Sequence, residues 1–176
     1  MKFSNLVSRI NFIRKKIFLK RRENILKKNI LLPISTVLEI SDSSILEIFD
    51  NVVFRKRCSI NVRENAKLSI GKNVFFNDNC SVTCRKRIMI GEGVIFGPNV
   101  VIFDHDHDLK SENLRADFVS DEIIIEDGVW IGANTVILKG THIGRNSVIG
   151  AASVVKGNVP SNSLLVQKRE DSLIEL

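Results

Sequence analysis

The chain has 176 residues, 44% of them hydrophobic, with 26 Lys and Arg against 20 Asp and Glu and a formal net charge of +6. A single domain of that length buries roughly 70% of its unfolded surface, so neither a cofactor nor a disulfide is needed to hold it together. Three cysteines, Cys58, Cys80 and Cys84, without CxxC spacing exclude a regular zinc knuckle or dithiol redox pair and point to a reducing, cytoplasmic compartment.

The positive charge is concentrated at the start. Residues 1 to 30 hold ten Lys or Arg against the single acid Glu23, which leaves 16 basic and 19 acidic groups for the remainder. Within that segment Phe3, Leu6, Val7, Ile10, Ile13 and Ile17 follow the i, i+3, i+4 spacing of an amphipathic helix. It contains no uninterrupted apolar run of the kind a signal peptide or spanning helix needs. Three readings are open for it: a cap on the body, a helix lying on an anionic inner leaflet, or a nucleic-acid patch. One Trp, no Tyr and Phe as the main aromatic give no support for base stacking, so a nucleic-acid partner is not expected.

From residue 48 onward an apolar residue recurs at every sixth position. Ile48, Phe54, Ile60 form one triplet, Ile70, Phe76, Val82 a second, and Ile90, Phe96, Ile102 a third, with two or more extra residues between triplets. Ile125, Ile131, Ile137, Ile143, Ile149 and Val155 then run without a slip. Neither the helical 3.6 nor strand alternation predicts sixes.

Two further columns keep the same phase. Three residues after each apolar position stand Asn51, Asn73, Asn79, Gly93, Asn99, Gly128, Asn134, Gly140, Asn146 and Asn158, with Ala152 the exception. Asn and Gly tolerate positive φ, so a left-handed turn is expected every six residues. One position further on come small or β-branched groups such as Val74, Cys80, Val94, Val129, Thr135, Ser147 and Ser153, fitted to lie under a corner. A short strand, a tight turn and another short strand, repeated, make a three-sided parallel coil of about eighteen residues, with Ile125 beneath Ile143 and Ile131 beneath Ile149. Cys58 and Cys80 fall in the corner column and read as buried thiols.

The period breaks once, between Ile102 and Ile125, so residues 103 to 122 are expected to project as a loop, a length that usually carries function. Its first turn, Asp104-His105-Asp106-His107-Asp108, reads as a metal site, as a catalytic base with supporting acids, or as a polar loop. Alternation in an extended segment puts His105 and His107 on one face and the aspartates on the other. With only His142 elsewhere and no compact acid cluster to complete a shell, no metal is expected. Trp130, just before the inward Ile131, is expected to point outward.

The stretches IGEGVIFGPNVVI at 90 to 102 and IEDGVWIGANTVILKGTHIGRNSVIGAASVVKGNVP at 125 to 160 resemble the hexapeptide-repeat acyltransferases, specifically the maltose and galactoside O-acetyltransferase branch and its capsule and lipopolysaccharide O-acetyltransferases. The resemblance covers about residues 45 to 160. It implies an all-β fold, a left-handed parallel β-helix over 31 to 160, flanked by the helix of residues 1 to 30 and a tail at 161 to 176. It also implies a homotrimer with acetyl-CoA in the grooves between subunits, no covalent acyl-enzyme, and a histidine that takes the proton of an acceptor hydroxyl.

Carried over residue by residue, the family histidine lies five after the last inward aliphatic, which is His107, with His105 as the second candidate. Trp130 matches the family's V-W-I-G tetrad and implies packing on pantetheine, acceptor or a neighbouring subunit. Ala133 matches a backbone thioester or oxyanion donor, Ala151 a backbone contact to pantetheine, and Lys156 the cofactor end. The chain departs from the pattern after Pro160, where SNSLLVQKREDSLIEL replaces the usual turn. The function so implied is O-acetylation of a sugar hydroxyl of a surface polysaccharide or its precursor, in the cytoplasm or peripherally at the inner membrane face. The alternatives are N-acetylation of an amino-sugar nucleotide and a non-catalytic β-helix scaffold.

Overall fold

A six-residue repeat with one inward side chain per short strand forces the chain to turn a corner after every strand. The computed structural model, which describes residues 25–168, shows the result. Three parallel sheets of seven, six and six strands form the sides of a prism, and a separate two-stranded antiparallel hairpin stands off it. Sheet A runs from Ile25–Leu26 to Asn158–Val159, sheet B from Val53–Phe54 to Leu164–Leu165, and sheet C from Val37–Ile40 to Val154–Val155. This all-β parallel solenoid is the left-handed β-helix architecture expected. Among the described residues no helix is long and apolar enough to cross a membrane.

The registers expected from the hexads hold, with Ile125 paired to Ile143 and Ile131 to Ile149. Eighteen residues per coil is correct only just after the loop, where Ile124 pairs with His142 and Val136 with Val154; the last coil closes in 16, as in His142 to Asn158. The early coils advance by 22, as in Val37 to Ser59 and Ile45 to Lys67. Sheets A and C there carry four-residue strands, Ile45–Ile48, Ser59–Val62 and Lys67–Ile70, while sheet B keeps two, as in Val53–Phe54. Growing a strand by two residues preserves the inward-outward parity, because side chains alternate with period two. Each extension therefore adds an inward residue, and Leu46, Val62, Leu68, Cys84 and Ile88 are all buried.

The wider coils need more volume at their centre. Phe54, Phe76 and Phe96 supply it as a stack with ring centroids 4.7 and 4.6 Å apart, while Ile131 and Ile149 suffice in the same sheet of the narrower coils. The prism tapers as the coil shortens from 22 residues to 18, and its inward side chains shrink with it.

The corners follow the sequence closely. Asn51, Asn73, Asn79, Gly93, Asn99, Gly128, Asn134, Gly140 and Asn146 all have φ between 58–72° or just below, at 57° for Asn134 and Asn146. Ala152, the exception by sequence, adopts φ 58° as well, in a region where an L side chain costs roughly 1–2 kcal/mol. Asn158 is a correction: it lies in the strand Asn158–Val159, and Gly157 takes the positive φ of 82° one residue earlier. Stacked asparagines bond from coil to coil, as in Asn79 Nδ2 to Asn99 Oδ1 at 3.0 Å and Asn99 Nδ2 to Asn134 Oδ1 at 2.9 Å. The free thiols of Cys58 and Cys80 fill buried corners as expected, whereas Cys84 is an inward strand residue.

The solenoid reaches beyond 31–160 at both ends. Ile25–Leu26 already pairs with Ile45–Ile48, Ile30 is buried, and Leu164–Leu165 pairs with Val148–Ile149. The amphipathic helix read over residues 1 to 30 otherwise lies outside the described residues, as does the end of the tail after residue 168.

Candidate functional site

The loop leaves the coil where expected, after Val101–Phe103, and the coil resumes at Ile123–Ile125. It is a hairpin in which His105–His107 pairs antiparallel with Phe118–Ser120, His107 opposite Phe118 and His105 opposite Ser120. Both imidazoles lie against the Phe118 ring, at centroid distances of 4.7 Å for His107 and 5.4 Å for His105, so the two histidines share one face. Asp106 faces away, its Oδ2 3.6 Å from Lys139 Nζ.

Asp104 anchors the hairpin. Its side chain is fully buried, and its carboxylate accepts the backbone N–H groups of Arg85, Lys86 and Arg87 at 2.8, 2.8 and 2.9 Å. Three main-chain donors converging on one carboxylate satisfy a buried charge without a cation. The hairpin base is thus bolted to the corner of the coil below it.

The two histidines differ in environment. His105 is half-buried, with Nδ1 3.3 Å from Asp104 Oδ1, and burial holds its imidazole below the ordinary value, against the raising pull of the Asp104 hydrogen bond. His107 is exposed, and its Nδ1 lies 2.6 Å from the carbonyl oxygen of Leu114. A carbonyl only accepts, so Nδ1 of His107 carries the hydrogen, and in the neutral imidazole the lone pair is on Nε2. The partner that fixes the His107 tautomer is therefore a main-chain carbonyl seven residues on. None of the three aspartates does so: Asp104 serves the corner, Asp106 meets Lys139, and Asp108 accepts the Lys110 N–H. Among the described residues no group of three His, Cys, Asp or Glu converges as metal ligands would.

The other predicted residues lie elsewhere on the prism. Trp130 stands on the outer face of sheet B with 54% of its surface exposed, in one column with Ile95, Val148 and Leu164. Ala133 and Ala151 occupy successive coils at the corner between sheets B and C. The Ala152 N–H bonds to the Ala133 carbonyl at 2.7 Å, while the N–H groups of Ala133 and Ala151 meet no acceptor among the described residues. A Cβ on Gly97 would sit 2.7 Å from the Ala133 nitrogen and one on Gly132 2.5 Å from that of Ala151, so the two glycines permit the close stacking of this edge. The result is an edge with two main-chain donors that meet no acceptor among the described residues, chemically suited to amide and thioester carbonyls.

Lys156 is exposed at the corner between sheets C and A, the same prism edge that bears the hairpin, one coil beyond Leu138 and Lys139. His142 lies on sheet A, with Nε2 2.8 Å from Glu126 Oε1, and has no part in either cluster. His105, His107 and Lys156 thus share one edge, whereas Trp130, Ala133 and Ala151 occupy a different face and edge. Sequence reasoning missed Asp104 as the anchor, Leu114 as the tautomer-fixing carbonyl, and Phe118 as the ring that carries both histidines.

Comparisons with known proteins bear out the resemblance carried by the repeat. Residues 122–157 match the family of the bacterial transferase hexapeptide, six repeats. The galactoside O-acetyltransferase of Lactococcus lactis is 41% identical over 76 residues, 43% of this chain and 37% of that protein. WbbJ of Escherichia coli K12, named for O-acetyl transfer in lipopolysaccharide biosynthesis, is 34% identical over 88 residues, 44% of this chain and 45% of that protein. A hexapeptide-repeat acetyltransferase from Vibrio cholerae superposes with a TM-score of 0.59 at 32% identity over 65% of each chain, and has also been crystallised with acetyl coenzyme A. The chain spans about two fifths of the length of the curated relatives it matches.

Proposed function

We propose that the chain is an acetyl-CoA-dependent O-acetyltransferase of the hexapeptide-repeat kind, acting on a sugar hydroxyl of a surface polysaccharide or its precursor. The observation that carries this reading is the His107 tautomer. With Nδ1–H held by the Leu114 carbonyl, Nε2 is an exposed acceptor on a hairpin braced by a buried carboxylate. That is the state a general base must hold before it meets a hydroxyl.

In the reaction, Nε2 of His107 takes the hydroxyl proton as the acceptor oxygen attacks the thioester carbonyl. A C–O bond forms, the carbonyl oxygen gains charge and is met by the Ala133 N–H, and collapse breaks the C–S bond. The proton on His107 then passes to the departing thiolate. Ala151 donates to the pantetheine chain, Trp130 packs against it, and Lys156 lies toward the cofactor end. General-base assistance contributes roughly 10²- to 10⁴-fold, with orientation and the main-chain donor supplying the rest.

The hairpin and the Ala133–Ala151 edge are separated on a rigid prism, so one copy does not bring them together. A homotrimer that sets the hairpin edge of one copy beside the donor edge of the next makes a complete site at each interface. The outer column of exposed Ile95, Trp130 and Leu164 with half-buried Val148 supports such packing, since exposed apolar stripes mark interaction surfaces. Three buried, unpaired thiols fit a cytoplasmic setting.

The test is release of CoA from acetyl-CoA by the purified full-length chain with a panel of sugar acceptors. His107→Ala should lower turnover by roughly 10²-fold or more while melting and CoA binding stay unchanged. Unaltered turnover would remove His107 as the base. The position of the acetyl group on the product, oxygen or nitrogen, decides between the O-transfer reading and amino-sugar N-acetylation, and absence of turnover with every acceptor leaves the scaffold reading.

A further inference from the structure

Successive corners between sheets C and A do not have equal length. Four residues, 63–66, join Ser59–Val62 to Lys67–Ile70, but only Arg85 and Lys86 join Ser81–Cys84 to Arg87–Ile90 in the coil above. The shorter corner recedes behind the longer one and leaves an open cavity of about 430 Å³ lined by Ser41, Arg63, Glu64, Asn65 and Arg85. Its size falls within the range of roughly 300–1,000 Å³ common to small-molecule sites.

Arg63 and Arg85 line this space one coil apart, with Glu64 the one carboxylate on the lining; the Nε of each arginine is closed off from solvent and has no hydrogen-bond partner among the described residues, so the terminal nitrogens are the groups a ligand can meet. The nearest carboxylate to Arg63 is Glu39 at 3.6 Å, a half-exposed pair of the kind that contributes little. Arg85 has no carboxylate partner among the described residues, whereas Arg55, Lys67, Lys86 and Arg145 are each paired to an acid. Burial and the neighbouring charge of Arg63 both press on the Arg85 cation. Two guanidinium groups on one cavity wall can offer terminal N–H donors to an oxyanion, which arginine grips through parallel N–H bonds.

The cavity adjoins the histidine hairpin. The Arg85 guanidinium carbon lies 3.5 Å from the centroid of Phe118, and the His107 ring lies 4.7 Å from the same centroid. The Phe118 ring is thus in contact with both the Arg85 guanidinium and the His107 imidazole.

We propose that Arg63 and Arg85 form an anion subsite for the acetyl acceptor, so that the acceptor sugar bears a carboxylate or phosphate that is held here while its hydroxyl meets His107. The acceptor role rests on the reading of His107 as the base; the anion site itself does not. A neutral sugar brings no charge to the two guanidinium groups, and a site built around charged donors discriminates against a ligand that lacks the matching group.

The experiment uses the full-length protein with acetyl-CoA and matched acceptors: methyl glucuronoside against methyl glucoside, and glucose 1-phosphate against glucose. In parallel, methyl glucuronoside and inorganic phosphate are titrated calorimetrically. The wild type should favour one charged member over its neutral match by roughly 10- to 100-fold in kcat/KM, and the favoured pair tells carboxylate from phosphate. Arg63→Gln and Arg85→Gln should each cut that preference by roughly 10-fold, chiefly through KM, and weaken calorimetric binding alike, with Arg85→Lys, which keeps the charge but loses the planar fork of terminal donors, intermediate. Equal use of both members of each pair, or a preference unchanged in both Gln variants, overturns the proposal. If no sugar is acetylated, the transferase reading is what has failed, and calorimetry then decides the anion site: binding lost in the Gln variants upholds it, and binding absent from the wild type or equal in all forms overturns it.

Discussion

His105 and His107 are two residues apart on one strand face, yet their surroundings assign them different work. His107 keeps its lone pair on Nε2 because its other nitrogen is spent on Leu114; His105 lies between Phe103, Phe118 and the Asp104 carboxylate. Burial lowers the affinity of His105 for a proton, while in the unfolded chain the imidazole titrates near 6.5. The folded state then binds fewer protons than the unfolded one below that value, so stability falls as pH drops through 6.5 and is unaffected by this group well above it. Melting temperatures at about pH 7.5 and about pH 5.5 test this: wild type should lose more than His105→Phe over the interval, and identical losses would refute the linkage.

Among the elements, the hairpin depends on the coil more than on its own pairing. A two-stranded hairpin is marginal in water, and this one is tied down where Asp104 meets three main-chain N–H groups and where the Asp121 N–H bonds to the Asp104 carbonyl at 2.8 Å. Asp104→Ala would orphan the donors of Arg85, Lys86 and Arg87 together. It should cost about 3 kcal/mol or more in denaturant unfolding, since each donor left unsatisfied costs roughly 1–3 kcal/mol, and should abolish acetyl transfer. A loss below about 1 kcal/mol would mean that water replaces the carboxylate and that the anchor is dispensable. The same corner explains the Arg63–Arg85 cavity, since the short turn that Asp104 holds is the one that recedes.

For the molecule as a whole, the proposed site is divided between edges that a stiff prism keeps apart, so assembly is part of the mechanism. Mixing two inactive forms after denaturation and refolding tests this directly. His107→Ala subunits lack the base, and Gly132→Ala subunits place a Cβ against the Ala151 nitrogen on the donor edge. If each site takes its base from one copy and its donors from the next, random co-assembly in equal amounts regenerates about a quarter of the sites. Activity that stays at the level of the separate variants would mean that each copy works alone.

The six-residue period, the left-handed corners and the outward loop could be read from the sequence because each arises from local stereochemistry repeated in phase: an inward aliphatic, a residue tolerant of positive φ, and a small group under the turn. The extra inward residues Leu46, Val62 and Leu68 were hidden because widening a strand by two keeps the alternation but breaks the count of six. The loop histidines were legible by phase alone. Which atom fixes His107 depended on how the hairpin closes over seven residues, and which aspartate is buried and where Arg63 and Arg85 line an open cavity depended on contacts between coils about twenty residues apart. Local pattern fixes what a corner is made of, and only the stacking of one coil on the next decides what that corner meets.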